Sequence, residues 1–134
     1  HSEKIAGSIM TPEYAAIKND ISAGEALEKI KTDFKKKESI YYIYVLDEFN
    51  TLLGMVTLRQ VLTSPPERMV SEFMHKRVAK VRVITNIKEV AEVFYKYDFN
   101  IVPVVDKQNM IQGIITMKDA FESVFGEIRK ETQQ

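Results

Sequence analysis

Cysteine is absent from the 134 residues, which removes disulfides, thiolate catalysis and cysteine-bound zinc in one step. A chain without it also fits a reducing compartment. Net charge is missing too: 19 basic side chains balance 19 acidic ones. No overall field therefore draws the chain to nucleic acid or to an anionic membrane. No apolar run approaches the roughly 20 residues needed to cross a bilayer, so no direct membrane insertion is expected. A secretory signal pattern is not visible either. Catalytic motifs are lacking: Gly-x-Ser-x-Gly, His-Glu-x-x-His and the phosphate-binding loop do not occur. His1 with Ser2 reads as a tag remnant, and His75 sits in a turn beside Lys76 and Arg77 with no nucleophile or carboxylate partner by motif. We expect no enzyme here, but a piece excised from a longer protein.

What is present is a globular composition, 45% hydrophobic and 28% charged, at ordinary domain size. It is also a repeat. Val45 to Leu62 reads again as Val104 to Phe121, with the same residue at Val45/Val104, Asp47/Asp106, Asn50/Asn109, Gly54/Gly113 and Thr57/Thr116. Seven of the other thirteen positions keep apolar facing apolar. Two copies in one chain form a pseudo-symmetric pair, and the cleft expected between them is the first place to seek a ligand.

Each copy opens on a methionine-led turn, Ile9-Met10-Thr11-Pro12 and Phe73-Met74-His75-Lys76. A short strand should follow, near Ala15–Ile17 and Lys80–Val83. Ser22 with Glu25, and Asn86 with Glu89, have capping-box spacing and predict helix starts. Ala23, Ala26, Leu27, Ile30 and Phe34 make one apolar stripe; Ile87, Val90, Ala91, Phe94 and Tyr97 make the other. Strand runs Ile40–Leu46 with Leu52–Leu58, and Ile101–Val105 with Met110–Met117, flank tight turns and predict hairpins. Closing helices are expected over Leu58–Leu62 and Met117–Ile128. The offset between copies falls from 64 through the helix to 59 through the hairpin, so the first copy holds five extra residues near Lys35–Ser39, read as a solvated loop. Ser64-Pro65-Pro66 reads as a stiff linker. The repeats are thus placed at 5–63 and 70–128, with a linker at 64–69 and a tail at 129–134. The pattern β-α-β-β-α per copy predicts an α/β (α+β) fold with helices on one side of each sheet.

Gly113-x-x-Thr116-x-x-Asp119 places a helix start behind a strand. Open backbone N–H groups there attract phosphate, and an Asp one turn in accepts ribose hydroxyls. The same spacing also suits an N-cap and its N3 partner, which needs no ligand. Thr57 and Gln60 repeat it. Asp119, Glu122 and Glu127 share one broad helix face, with Glu131 further along. Mg²⁺ takes oxygen ligands, often one or two carboxylates plus retained waters. A plain solvated helix face is the alternative.

With the repeat, Met10-Thr11-Pro12, and the runs Gly54 to Gln60 and Gly113 to Asp119, the chain resembles a tandem cystathionine-β-synthase (CBS) domain pair over residues 5–128. Met10 to Tyr14, Ile40 to Val45, Tyr95 to Phe99 and Val102 to Asp106 make it similar to the cytosolic CBS region of MgtE-type magnesium transporters. The resemblance implies two repeats packed through their sheets, in a homodimer on the cytoplasmic side of the plasma membrane. It implies gating of transport by Mg²⁺, modulated by ATP or AMP. The acidic N-terminal domain and the membrane channel of the full-length protein would be its partners. Tyr42, Ile43 and Tyr44 would surround adenine, with Ala79 and Val81 on the opposite wall. Arg59 would face phosphate, and Thr57, Gln60, Val102, Pro103, Thr116 and Asp119 would complete the nucleotide set. Metal-sensing carboxylates would be Asp98, Asp119, Glu122 and Glu127. The family's first-copy motif normally ends in Asp, where this chain has Gln60; neutral Gln weakens ribose acceptance there, and Gln60→Asp should tighten ATP binding. The rival readings are an adenine-nucleotide sensor of another protein or enzyme, and a structural dimerisation module whose motifs are only caps.

Overall fold

A computed structural model describes residues 4–34 and 41–132, with the side chains of 127–132 outside the description. The five-residue excess near Lys35–Ser39 lies outside the described residues. Two units of equal build emerge, one formed by Glu13–Val78, the other by the described residues of His1–Pro12 together with Ala79–Gln134.

In the first unit, β1 (Ala16–Lys18), α2 (Ala23–Asp33), β2 (Tyr42–Leu46), β3 (Leu52–Thr57) and α3 (Leu58–Thr63) follow the expected order, and a one-turn helix α4 (Val70–Phe73) joins them. β1 runs parallel to β2, which pairs antiparallel with β3. Helix α2 forms where the spacing predicts. Ser22 Oγ accepts from the Glu25 amide and Glu25 Oε1 accepts from the Ser22 amide, both at 3.2 Å. Its stripe, Ala26, Ile30 and Phe34, packs with Ile17, Ile43, Val45, Val56, Val61 and Val70. Burying such side chains stabilises by about 1.5–3 kcal/mol each.

The second unit holds α1 (Ala6–Ile9), β4 (Val81–Arg82), α5 (Ile87–Lys96), β5 (Ile101–Val105), β6 (Ile111–Thr116) and α6 (Met117–Thr132). The sheet order β4-β5-β6 repeats the first, parallel then antiparallel. Asn86 Oδ1 caps α5 through the amides of Lys88 at 2.9 Å and Glu89 at 3.1 Å. Val81, Val90, Phe94, Val102, Val104, Ile115 and Ala120 form the core, with Ala6 among them. Tyr97 departs from expectation. Helix α5 ends at Lys96, and Tyr97 is its extended C-cap, 44% exposed and off the core stripe.

Both hairpin turns are built alike. Asp47 Oδ1 accepts from the amides of Phe49 and Thr51, and Asn50 adopts φ 66°. Asp106 Oδ1 accepts from Gln108 and Met110, and Asn109 adopts φ 65°. Asn tolerates this left-handed region better than other non-glycine residues. A lysine steadies each turn: Lys18 Nζ and Lys80 Nζ donate to Asn50 Oδ1 and Asn109 Oδ1, each at 2.7 Å.

The methionine-led turns do not pack with the repeats they precede. Thr11 bridges Ile114 of the second unit, and His75 bridges Met55 of the first. Each repeat therefore closes its sheet edge with a segment from the other end of a repeat boundary. Periodicity reports neighbours along the chain, so a contact spanning about a hundred positions leaves no periodic trace.

Candidate functional site

Two equivalent points carry the candidate motifs, where β3 hands over to α3 and β6 to α6. At the first, Thr57 Oγ1 accepts from the Gln60 amide at 3.1 Å, and Gln60 Oε1 accepts from the Thr57 amide at 2.9 Å. The other end of the amide is engaged too: Gln60 Nε2 donates to Phe73 O at 3.1 Å. The Gln60 side chain is thus spent within the protein. At the second point, Thr116 Oγ1 accepts from the Asp119 amide at 3.1 Å. The Asp119 carboxylate is half-buried and carries no hydrogen bond among the described residues.

The expectation of open amides at these helix starts needs correcting. Leu58 N–H is bonded to Tyr41 O and Met117 N–H to Asn100 O, each at 2.9 Å. With the Gln60 and Asp119 amides capped as well, a single amide of the first three at each start, Arg59 or Lys118, has no partner among the described residues. The attraction for phosphate shrinks accordingly.

The other residues named from the sequence are distributed as follows. Tyr42 is half-buried, lies across from Thr57 in the ladder, and meets Tyr41 edge-on at 5.0 Å. Ile43 is fully buried in the core of the first unit. Tyr44, on the opposite strand face, is 1% exposed, and burial pushes its hydroxyl's pKa up. Arg59 is exposed. In the second unit Val81 and Val102 are core residues, Pro103 is buried and Ala79 half-buried. Ile43, Tyr44, Val81, Val102 and Pro103 are buried, whereas Tyr42, Arg59 and Ala79 keep surface to offer.

Among the proposed metal ligands, Asp98 and Glu122 are exposed, and the Glu127 side chain is outside the description. No group of three or more His, Cys, Asp or Glu residues able to hold a metal occurs among the described residues. A solvent-open cavity of about 370 Å³ is lined by Lys18, Asn19, Asp20, Asp47 and Glu48. Sequence reasoning passed over it, and its lysine amine is already bonded to Asp47 O and Asn50 Oδ1.

Sequence reasoning also missed what Gly54 and Gly113 do, although their identity between copies was the available signal. A Cβ on Gly54 would come within 2.6 Å of His75 O, and one on Gly113 within 2.8 Å of Thr11 O. These glycines let the crossing segments reach the sheets.

Two units of one build, each turning from a hairpin into a capped helix, define a duplicated α/β module. The chain belongs to the CBS domain family, whose sequence profile matches residues 6–67 and 70–126. It is 36% identical over 131 residues to the magnesium transporter MgtE of Thermus thermophilus, covering 98% of this chain and 29% of that protein. It is also similar, at 38% identity and TM-score 0.85, to the crystal structure of the cytosolic domain of the Mg²⁺ channel MgtE in complex with ATP. That match covers 91% of this chain and 49% of that one. Inosine-5′-monophosphate dehydrogenase of Aquifex aeolicus is 36% identical over 118 residues, 84% of this chain and 22% of that enzyme. The chain spans less than a third of either full-length relative.

Proposed function

We propose that this chain is the non-catalytic regulatory CBS pair of a magnesium transporter, working on the cytoplasmic side of the membrane, and that it takes adenine nucleotide at the second repeat. The observation that carries the reading is the match to the transporter along 98% of the chain. Within the chain, the Asp119 carboxylate, without a hydrogen bond among the described residues, favours the second repeat, because it can accept ribose hydroxyls. Gln60 has already committed both ends of its amide. Ala79, Val81, Val102, Pro103 and Thr116, of the same unit as Asp119, complete the nucleotide set proposed at that repeat, while Tyr42, Ile43, Tyr44, Thr57 and Arg59 belong to the first.

For Mg²⁺, no group of three or more ligating side chains occurs among the described residues. Asp98, Asp119, Glu122 and Glu127 are therefore proposed to share the ion with carboxylates supplied by the rest of the full-length protein. Opposed carboxylates repel, and a divalent ion between them reverses the sign. Homodimerisation is proposed through the helices, where Tyr95 and Phe125 are 91% and 58% exposed; sedimentation velocity reads it.

Thermal melting with ATP, AMP and Mg²⁺ tests the reading. ATP at 100 times its dissociation constant should add about 2.7 kcal/mol, and Asp119→Ala should abolish the gain. An ATP shift that survives Asp119→Ala, or no shift at all, removes the nucleotide assignment. The similarity to a dehydrogenase favours a second reading, the nucleotide-sensing insert of an enzyme. It predicts the same ATP response with indifference to Mg²⁺ when the full-length protein is titrated.

A further inference from the structure

Each sheet edge is closed by a strap from elsewhere in the chain, and the two straps are held alike by their backbones. The leading strap, residues 4–11, donates from Ala6, Gly7 and Thr11 to Thr85, Val83 and Ile114 carbonyls. Its Lys4 and Thr11 carbonyls accept from Ile87 and Ile114. The linker strap, residues 66–75, donates from Val70 and His75 to Ile21 and Met55 carbonyls. Its Pro66, Arg68 and His75 carbonyls accept from Gly24, Ala23 and Met55. All of these bonds are between 2.7 and 3.1 Å.

The helix-start side chains break this balance. Gln60 Nε2 donates to Phe73 O, tying the first turn of α3 to the linker strap. By the repeat, Asp119 stands where Gln60 stands. A carboxylate has no hydrogen to give a carbonyl. We propose that this difference makes the straps unequal at the helix starts: Gln60 locks the linker strap onto the first repeat, while Asp119 leaves the leading strap without that lock at the β6 edge. The consequence is directional. Thr11 bridges Ile114, two residues before Thr116, so undocking of the leading strap loosens the strand that delivers Thr116 and Asp119. Displacement of the leading segment is read at the start of α6, and displacement of the linker is resisted at the start of α3.

Hydrogen–deuterium exchange on the full chain tests this, because exchange under native conditions reads the local opening equilibrium. Gln60→Glu keeps the acceptor for the Thr57 amide, loses the donor and sets a negative charge against the Phe73 carbonyl. Exchange across 69–76 should rise about three- to tenfold, the factor one net hydrogen bond provides, with 5–11 unchanged. Asp119→Gln supplies the missing donor, and exchange across 5–11 should fall by a similar factor with 69–76 unchanged. The second variant adds a bond and so does not depend on tolerating a loss. A variant that leaves its own strap unchanged, moves it the other way, or moves both straps together overturns the proposal.

Discussion

At the scale of single residues, the five positions shared by the two copies are all accounted for by folding. Val45 and Val104 are fully buried in their cores, each beside the register shift of its hairpin. The Asp and Asn pairs build the turns, the Thr pair caps the closing helices, and the Gly pair admits the straps. The resemblance between copies therefore reports a shared build more than a shared ligand. Gly113→Ala should destabilise the chain by about 1–3 kcal/mol in urea unfolding, since the added methyl meets a backbone oxygen that has little room to yield. Asp47 makes a prediction about pH. The Thr51 amide, ahead of the Phe49 amide, holds its carboxyl below the ordinary carboxylate range. A group whose folded pKa is depressed contributes stability above its unfolded pKa and loses it as pH falls through the folded value. Melting temperature should therefore decline on acidification, and Asp47→Asn, which keeps an acceptor for the turn, should lose that part of the slope.

At the scale of elements, start signals proved sharper than stops. Ser22 and Glu25 cap each other as the spacing predicts, and Ser22→Ala should cost about 1 kcal/mol by chemical denaturation. Tyr97 fits the apolar period of α5 yet lies beyond its end, because a period says which face a residue would take and not where the helix stops. Helices α1 and α4, four residues each, escaped notice for a related reason: one turn is too short to show a period. Gly126 in α6 offers the opposite test to Gly113. Among the described residues nothing lies within 4 Å of the place its Cβ would occupy, so Gly126→Ala should stabilise by about 0.5–1 kcal/mol through helix propensity alone.

At the scale of the whole molecule, the repeats counted along the chain, 5–63 and 70–128, are not the units that pack. The packed units exchange their leading segments, so that the described residues of 1–12 go with those of 79–134, and the described residues of 13–78 stand together. Exchange experiments should follow the packing. Gly54→Ala should lower protection first within 13–78, and Gly113→Ala first within 79–126 and the leading strap. Peptide-resolved mass spectrometry distinguishes this from loss divided at residue 64. No helix among the described residues is long and apolar enough to cross a membrane.

The sequence by itself determined the duplication, the hairpins, the helix starts and the family, because each rests on residues close together along the chain: a cap and its partner three apart, a turn of four, a stripe repeating every turn. It also located both helix starts where a ligand would be sought. Only the tertiary structure decided what those starts are doing. Gln60 is engaged because Phe73, thirteen positions on, folds back to meet it, and Gly113 must stay bare because Thr11, a hundred positions earlier, lies against it. Contacts at such separations depend on the whole chain having closed, and no local pattern encodes them.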